Sequence, residues 1–277
     1  MKMIFDCFMF SHEFEILELR LLELYDVVDR FVIVEATKTH RGLPKPLHFA
    51  EQRERFAPYL DKIVHVVVDD MPDNPDPFAM DAFQRGAIVR GLYEAHDDDF
   101  IIIGDLDEIP RANLVRELRD RPQDIVGFQM ILSCFKYNYV CMEGETQAVW
   151  SVAARARHVR RLGTQYFRDK RLYLHNVANA GVLLPEFVVV LPHAGWHFGW
   201  IGDHEAALRK LQGTPHQEHN TAENVAALVD IDAIIQSGRD LFQRPGYRWA
   251  PVQLNDYFPE TLRNNLEKYA PHIVNVQ

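Results

Sequence analysis

The run RFVIVEA, residues 30–36, is apolar at nearly every position, and a strand with no polar face must be covered on both sides. This demand narrows the fold more than any other feature of the chain. KMIFDCFMF (2–10), KIVHVVV (62–68) and FIII (100–103) make the same demand. Between them, EFEILELRLLELY sets Ile16, Leu17, Leu21 and Leu24 on one helical stripe, and MDAFQRGAIVRGLYEAH (80–96) reads as a helix with Phe83, Ala87 and Val89 to Tyr93 across its buried side. Strands separated by helical patterns predict an α/β fold with a Rossmann-like, mostly parallel, doubly wound sheet flanked by helices. Gly and Pro mark TKTHRGLPKPLHF and DDMPDNPDP as loops. Beyond residue 220, AENVAALVDIDAIIQSG and PETLRNNLEKYAP read as two closing helices on the same domain. With 277 residues, 47% of them hydrophobic, and no linker, repeat or low-complexity segment, one domain over 1–277 is the expected count.

The formal net charge of -10 argues against nucleic acid as a partner, since neutralising phosphates requires a basic surface. Cys7, Cys134 and Cys141 form no CxxC pair and leave one unmatched, so reduced thiols in a cytoplasm are expected rather than a zinc ribbon or a disulfide framework. The start MKMIFDCFMFSHEFE turns acidic too early for a signal peptide, and no apolar stretch is long enough to span a bilayer. The expectation is a protein without an integral membrane segment.

Directly after FIII stand Gly104, Asp105, Leu106, Asp107, Glu108, Ile109 and Pro110. Several carboxylates converging on one point repel unless a cation sits among them. In open parallel sheets, ligands bind beyond the carboxyl ends of the strands, where this segment falls. Gly104 would let the backbone turn, and Pro110 would stop the strand. If the chain stays extended, Asp105 and Asp107 share a side and reach one group, and their hard oxygens suit Mn²⁺ or Mg²⁺ with open positions for phosphates. The plainer alternative is that both merely cap the turn and a helix beginning near Ala112.

GDLDEIP, together with HEFEILELRLLEL, VVDRFVIVEATKTHRGLPKPLHF and the spaced motif AGWHFGW, Glu205, Lys210–Leu211, resembles the bisecting N-acetylglucosaminyltransferase family, glycosyltransferase family 17, in its bacterial-type form. The resemblance covers about residues 10 to 211. It implies a GT-A-like fold, a nucleotide-sugar donor with UDP-N-acetylglucosamine favoured, a divalent metal, and inversion at the anomeric carbon. It further implies a nucleotide-sugar part over about 1–120, an acceptor and metal-completing part over about 121–220, and closing helices over about 221–277. Asp105 would face the donor ribose and share the metal with Asp107. Glu108 would support the turn. The membrane anchor of the eukaryotic relatives is not expected here, and the acceptor is a glycan or another hydroxyl compound.

The segment LPHAGWHFGWIGDHEAALRKL (191–211) holds the remaining motif. Gly195 and the tryptophans speak against a helix carrying His193 and His197 as a metal pair. The resemblance implies His197 as the late metal ligand, against the alternative of a histidine satisfied within an aromatic cluster. Trp196 and Trp200 would stack on an acceptor sugar or pack in the core. An inverting transfer needs a base near the acceptor hydroxyl. Glu205 and, behind it, Asp203 are the candidates, although both also suit the first turn of a helix.

Glu35 ends the second strand, Arg85 precedes the fourth, and Glu13 with His12 closes the first, so all are expected to line the donor crevice. RARHVRRLGTQYFRDKRL (155–172) carries seven Arg or Lys against one Asp. Arg160 and Arg161 would wall the donor phosphates, or the stretch is a solvated face. Two other classes compete: an aspartate-dependent phosphohydrolase, which also places D-x-D after an apolar strand, and a non-catalytic carbohydrate-binding protein, which explains the tryptophans without the acids.

Overall fold

The computed structural model describes residues 2–276. Strands β1 (Ile4–Phe10), β2 (Arg30–Ala36), β3 (Ile63–Val68) and β4 (Phe100–Ile103) are parallel and lie in the order β3-β2-β1-β4. The rest of the sheet comes from β5 (Glu108–Pro110), β6 (Ile125–Cys134), β7 (Tyr139–Glu143), β8 (Gln147–Arg155), β9 (Val188–Gly199) and β10 (Arg248–Pro251). β8 runs antiparallel to β4, and the sheet continues through β6 and β7 to β10. β9 lies parallel to β6 and antiparallel to β5. The expected α/β architecture is present, with the first half of the sheet parallel and most of the second half antiparallel.

The helices are α1 (Phe14–Leu24), α2 (His48–Glu51), α3 (Pro77–Gly86), α4 (Ala112–Glu117), α5 (Ala156–Leu162), α6 (Thr164–Asn179), α7 (His204–Gly213), α8 (Ala222–Leu228), α9 (Ile231–Ser237), α10 (Glu260–Asn264) and α11 (Leu266–Tyr269). Strand β4 shows why the parallel strands are apolar throughout. Phe100 and Ile102 enter one core with Leu17 and Leu21 of α1, while Ile101 and Ile103 enter another with Met80 of α3 and Phe167 of α6. A third core joins Leu132 and Tyr139 of the sheet to Leu211 and Leu228 of α7 and α8, so the later helices pack on the same sheet.

The helix expected over 80–96 is shorter. It ends at Gly86 and continues as a tight 3₁₀ turn to Gly91, leaving Val89 and Tyr93 exposed. A Cβ on Gly91 would stand 2.5 Å from a Val32 methyl, so the turn sits closer to the sheet than a larger residue allows. Each closing helix is split in two. Asp230 accepts a bond from the Ala233 amide and starts α9, and Asn265 separates α10 from α11. Cys7, Cys134 and Cys141 are buried free thiols, and no helix among the described residues is long and apolar enough to cross a membrane.

Candidate active site

All four parallel strands end on one side, and there the chain turns. The Glu108 amide donates to the Asp105 carbonyl at 3.1 Å, so residues 105–108 form a turn rather than an extended run. The two aspartates therefore do not share a side as an extended chain would have them, and their carboxylates diverge. Gly104 serves close approach rather than turning: a Cβ there would lie 2.2 Å from Ser151 Oγ and 3.0 Å from Glu108 Oε2.

Arg20 of α1 holds the turn from beneath. Its side chain is fully buried, pairs with both Asp6 oxygens at 2.7 and 2.8 Å, and donates to the carbonyls of Asp105, Leu106 and Glu108 at 2.7, 3.0 and 3.0 Å. One planar guanidinium thus fixes both the strand and the three carbonyls that shape the turn.

The cations expected among the carboxylates are the protein's own. Asp105 accepts from Arg85 Nη1 at 2.8 Å and pairs with Arg168, and its amide donates to Glu108 Oε2 at 2.8 Å. Glu108 is fully buried and binds Arg168 Nη1 at 2.7 Å, Arg171 Nη1 at 3.4 Å and Ser151 Oγ at 3.3 Å. Asp107 takes Lys210 Nζ of α7 at 2.6 Å on one oxygen, and its other oxygen lies 3.7 Å from His197 Nε2. Burial would raise the Asp105 carboxyl, but Arg168 and Arg85 hold it well below the usual carboxylate range. Burial likewise acts against Asp107 and Glu13, yet Lys210 keeps both depressed. His197 is pushed down by burial, which outweighs the Asp107 charge.

The Asp105, Asp107 and His197 set expected for a metal is not gathered. Their ligand atoms do not all lie within 4.8 Å of one another, because the turn sends Asp105 to the arginines. Among the described residues, the histidine and carboxylate group that does meet that limit is His216, Glu218 and His219. Asp107 and His197 still face each other. His197 packs 4.2 Å from the Trp150 ring, and its Nδ1 is buried with no hydrogen-bond partner among the described residues. A carboxylate oxygen beside an imidazole nitrogen suits an octahedral ion that keeps most positions for phosphate and water.

Several expectations are corrected by their surroundings. Glu35 is fully buried and accepts from the amides of Phe49 and Ala50 and from His65 Nε2 at 3.1 Å, so its carboxylate anchors α2 and does not line a crevice. Trp196 is a core residue, 2% exposed, stacked on Phe198 and donating to the Tyr257 carbonyl. Trp200 is half-buried at the end of β9 with Lys210 Nζ 5.8 Å from its ring. Asp203 caps α7 through the Ala206 amide. Glu205, 68% exposed, pairs with Arg209 and lies roughly 140° around the helix from Lys210. Neither carboxylate touches the Asp107 group. Arg160 bonds Asp97 and the Ala95 carbonyl, ahead of the opposite end of β4, and Arg161 is exposed on the same helix. Glu13 is half-buried, accepts from the His12 amide at 3.0 Å and feels the Lys210 charge.

Arg20, Arg168 and Arg171 stand outside the site residues expected from the sequence, and Lys210 entered there only as part of the family motif. The basic stretch was the right region for two of them, but the residues on the site face belong to α6 and not to α5. The signal was periodicity: Phe167, Arg168, Arg171, Leu174 and His175 share one side of a helix.

The profile of Glycosyltransferase family 17 matches residues 1–248. The β-1,4-mannosyl-glycoprotein 4-β-N-acetylglucosaminyltransferases of Homo sapiens and Rattus norvegicus are each 27% identical over 286 residues, a match covering 94% of this chain and 52% of theirs. The chain therefore spans about half the length of the curated relatives it matches. Among solved structures, a mannosyltransferase from Pyrobaculum calidifontis in complex with GDP-Man and Mn²⁺ is 15% identical at a TM-score of 0.41, covering 76% of this chain and 61% of that one. Glucosyl-3-phosphoglycerate synthase from Mycobacterium tuberculosis, in complex with Mn²⁺, UDP-glucose and phosphoglyceric acid, is 14% identical at 0.41, with coverages of 95% and 91%. On the profile match, which takes in the D-x-D turn, the arginines of α6 and the His197–Lys210 segment together, the chain belongs to glycosyltransferase family 17.

Proposed function

We propose that this protein transfers a sugar, N-acetylglucosamine in the first place, from a UDP-linked donor to a hydroxyl of a glycan or other acceptor. The reaction inverts the anomeric carbon and uses Mn²⁺ or Mg²⁺ held by Asp107 and His197. The observation that carries this reading is Asp107, ionised at the carboxyl end of the parallel strands, with His197 at 3.7 Å and Lys210 at 2.6 Å. The names of the curated relatives support the choice of sugar.

Asp107 and His197 would hold the divalent ion, which would supply positive charge for the diphosphate leaving group. The chain's own residues do the rest. Lys210 stands beside Asp107 as a second cation for the leaving phosphates. Arg85 and Arg168 keep Asp105 ionised, so its half-exposed side can accept a bond from a ribose hydroxyl. Glu108 spends its oxygens inside the protein and keeps the turn and α6 in register. Three buried free thiols fit a reducing compartment, and we place the protein in the cytoplasm.

A phosphohydrolase would need a carboxylate free to attack phosphorus, and Asp105 is clamped between two guanidiniums. A carbohydrate-binding module would want exposed aromatic platforms, and Trp196 lies in the core. The test is a panel of nucleotide sugars scored for thermal stabilisation and UDP release. Because a ligand at 100-fold over its Kd stabilises by roughly 2.7 kcal/mol, the shift is easily read. UDP-N-acetylglucosamine with Mn²⁺ should give the largest rise in Tm, removed by a chelator. A larger, metal-independent response to a phosphosugar or nucleoside monophosphate would overturn the reading.

A further inference from the structure

Beyond Arg171, the site-facing side of α6 continues through His175 and Asn179, each four residues on and so on the same helical face. Arg171 reaches Glu108, and at about 1.5 Å of rise per residue His175 and Asn179 follow roughly 6 and 12 Å further along the axis. They meet a cavity of about 580 Å³ where the sheet is irregular. The register of β6 shifts between Phe128 and Gln129 against β8 and between Phe128 and Met130 against β9, and His193 takes a left-handed φ of 51° there. Such irregularities re-aim side chains instead of continuing the ladder.

We propose that this cavity is the acceptor subsite and that it takes a neutral oligosaccharide; the proposal rests on the transferase reading above. Gln129, Thr146, Gln147, His175, Asn179 and His193 line it. Carboxamides and hydroxyls each donate and accept, the pairing that vicinal sugar hydroxyls require. Gln129 Nε2 donates to Asn179 Oδ1 at 3.4 Å and Asn179 Nδ2 lies 3.0 Å from a His175 ring nitrogen, so the lining is already a connected polar network. Of the described residues that line the cavity, Glu145 alone carries a fixed charge, and it is negative. That disfavours a phosphorylated acceptor, and the polar walls disfavour a lipid tail. The neighbouring Arg168 and Arg171 are held by Asp105 and Glu108 and do not change this balance.

The probe is a neutral manno-trisaccharide, titrated calorimetrically into the wild-type chain and into Gln147→Ala and Asn179→Ala. Gln147 is half-buried and Asn179 exposed, so both variants should fold. With one or two hydrogen bonds lost, the trisaccharide affinity should fall about tenfold in each variant. UDP-N-acetylglucosamine with Mn²⁺ should still raise the variants' Tm. Wild-type trisaccharide affinity in both variants, no binding to the wild type, or tighter binding of the phosphorylated trisaccharide would overturn the subsite. Failure of the transferase reading would show separately, as no donor-dependent stabilisation and no UDP release by the wild type.

Discussion

Asp107 is where a folding role and a chemical role now predict different things than the bare sequence did. Crowded carboxylates suggest that removing one relieves repulsion. The structure pairs Asp107 with Lys210 at 2.6 Å, so Asp107→Asn leaves a mostly buried ammonium without its counter-charge. That substitution should lower stability by about 1–3 kcal/mol, less than for a fully enclosed pair because Lys210 retains some solvent. It should also abolish Mn²⁺-dependent UDP release. Urea denaturation and the release assay check the two effects, and wild-type turnover in the variant would remove Asp107 from the site. The position of this residue was legible, since an apolar strand followed by GDLDE has few other meanings. Its partner was not. Lys210 lies 103 residues away, and only the turn at 105–108 decides which aspartate it meets.

At the level of elements, α1 carries more than a hydrophobic stripe. Arg20 stands among Ile16, Leu17, Leu21 and Leu24 on the buried side, and a charge on that stripe was itself the legible signal. Replacing it by Met keeps length and apolar bulk but strands Asp6, fully buried, and frees three turn carbonyls. Arg20→Met should cost about 3–5 kcal/mol, and adding Asp6→Leu should recover part of it, because removing both buried charges costs less than removing one. A single-variant loss under about 1 kcal/mol would show that α1 does not hold the turn. The elements of the first hundred residues were readable because two-sided burial leaves uninterrupted apolar runs. The strands between 125 and 199 were not. β9 contains Pro192 and Gly195, its partners on β6 lie 63 to 65 residues earlier, from Ile125 against Val188 to Cys134 against Gly199, and register shifts on both sides of β6 break any simple period. The polar cavity beside α6 arises from those irregularities, and no local pattern announces it.

Over the whole molecule, the titrating groups set a pH profile of definite sign. Burial lowers His12, His40 and His272, overriding the carboxylates near each. A histidine whose folded pKa is depressed binds its proton more readily in the unfolded chain. Its contribution is therefore fully present above the unfolded value of about 6.5 and is lost as pH falls through the folded values. Asp124 and Asp240 are also depressed: burial opposes their ionisation, but hydrogen bonds from His158 and Arg157 to the first and from Arg244 to the second outweigh it. The same sign applies to them in a lower window, opening at about 4. Thermal unfolding followed from pH 8 to pH 3 should show a plateau above about 7, a first decline beginning near 6.5 and a steeper one below about 4. His40 accounts for part of the first decline, since burial lowers it even though Asp81 and the Gln84 Oε1 atom 3.0 Å from its ring favour the proton. In His40→Gln the drop in Tm between pH 7 and pH 5 should shrink relative to the wild type, while the drop below pH 4 stays. A Tm that rises on acidification from 7 to 5 would mean that these imidazoles gain protons on folding, the reverse of what their burial requires.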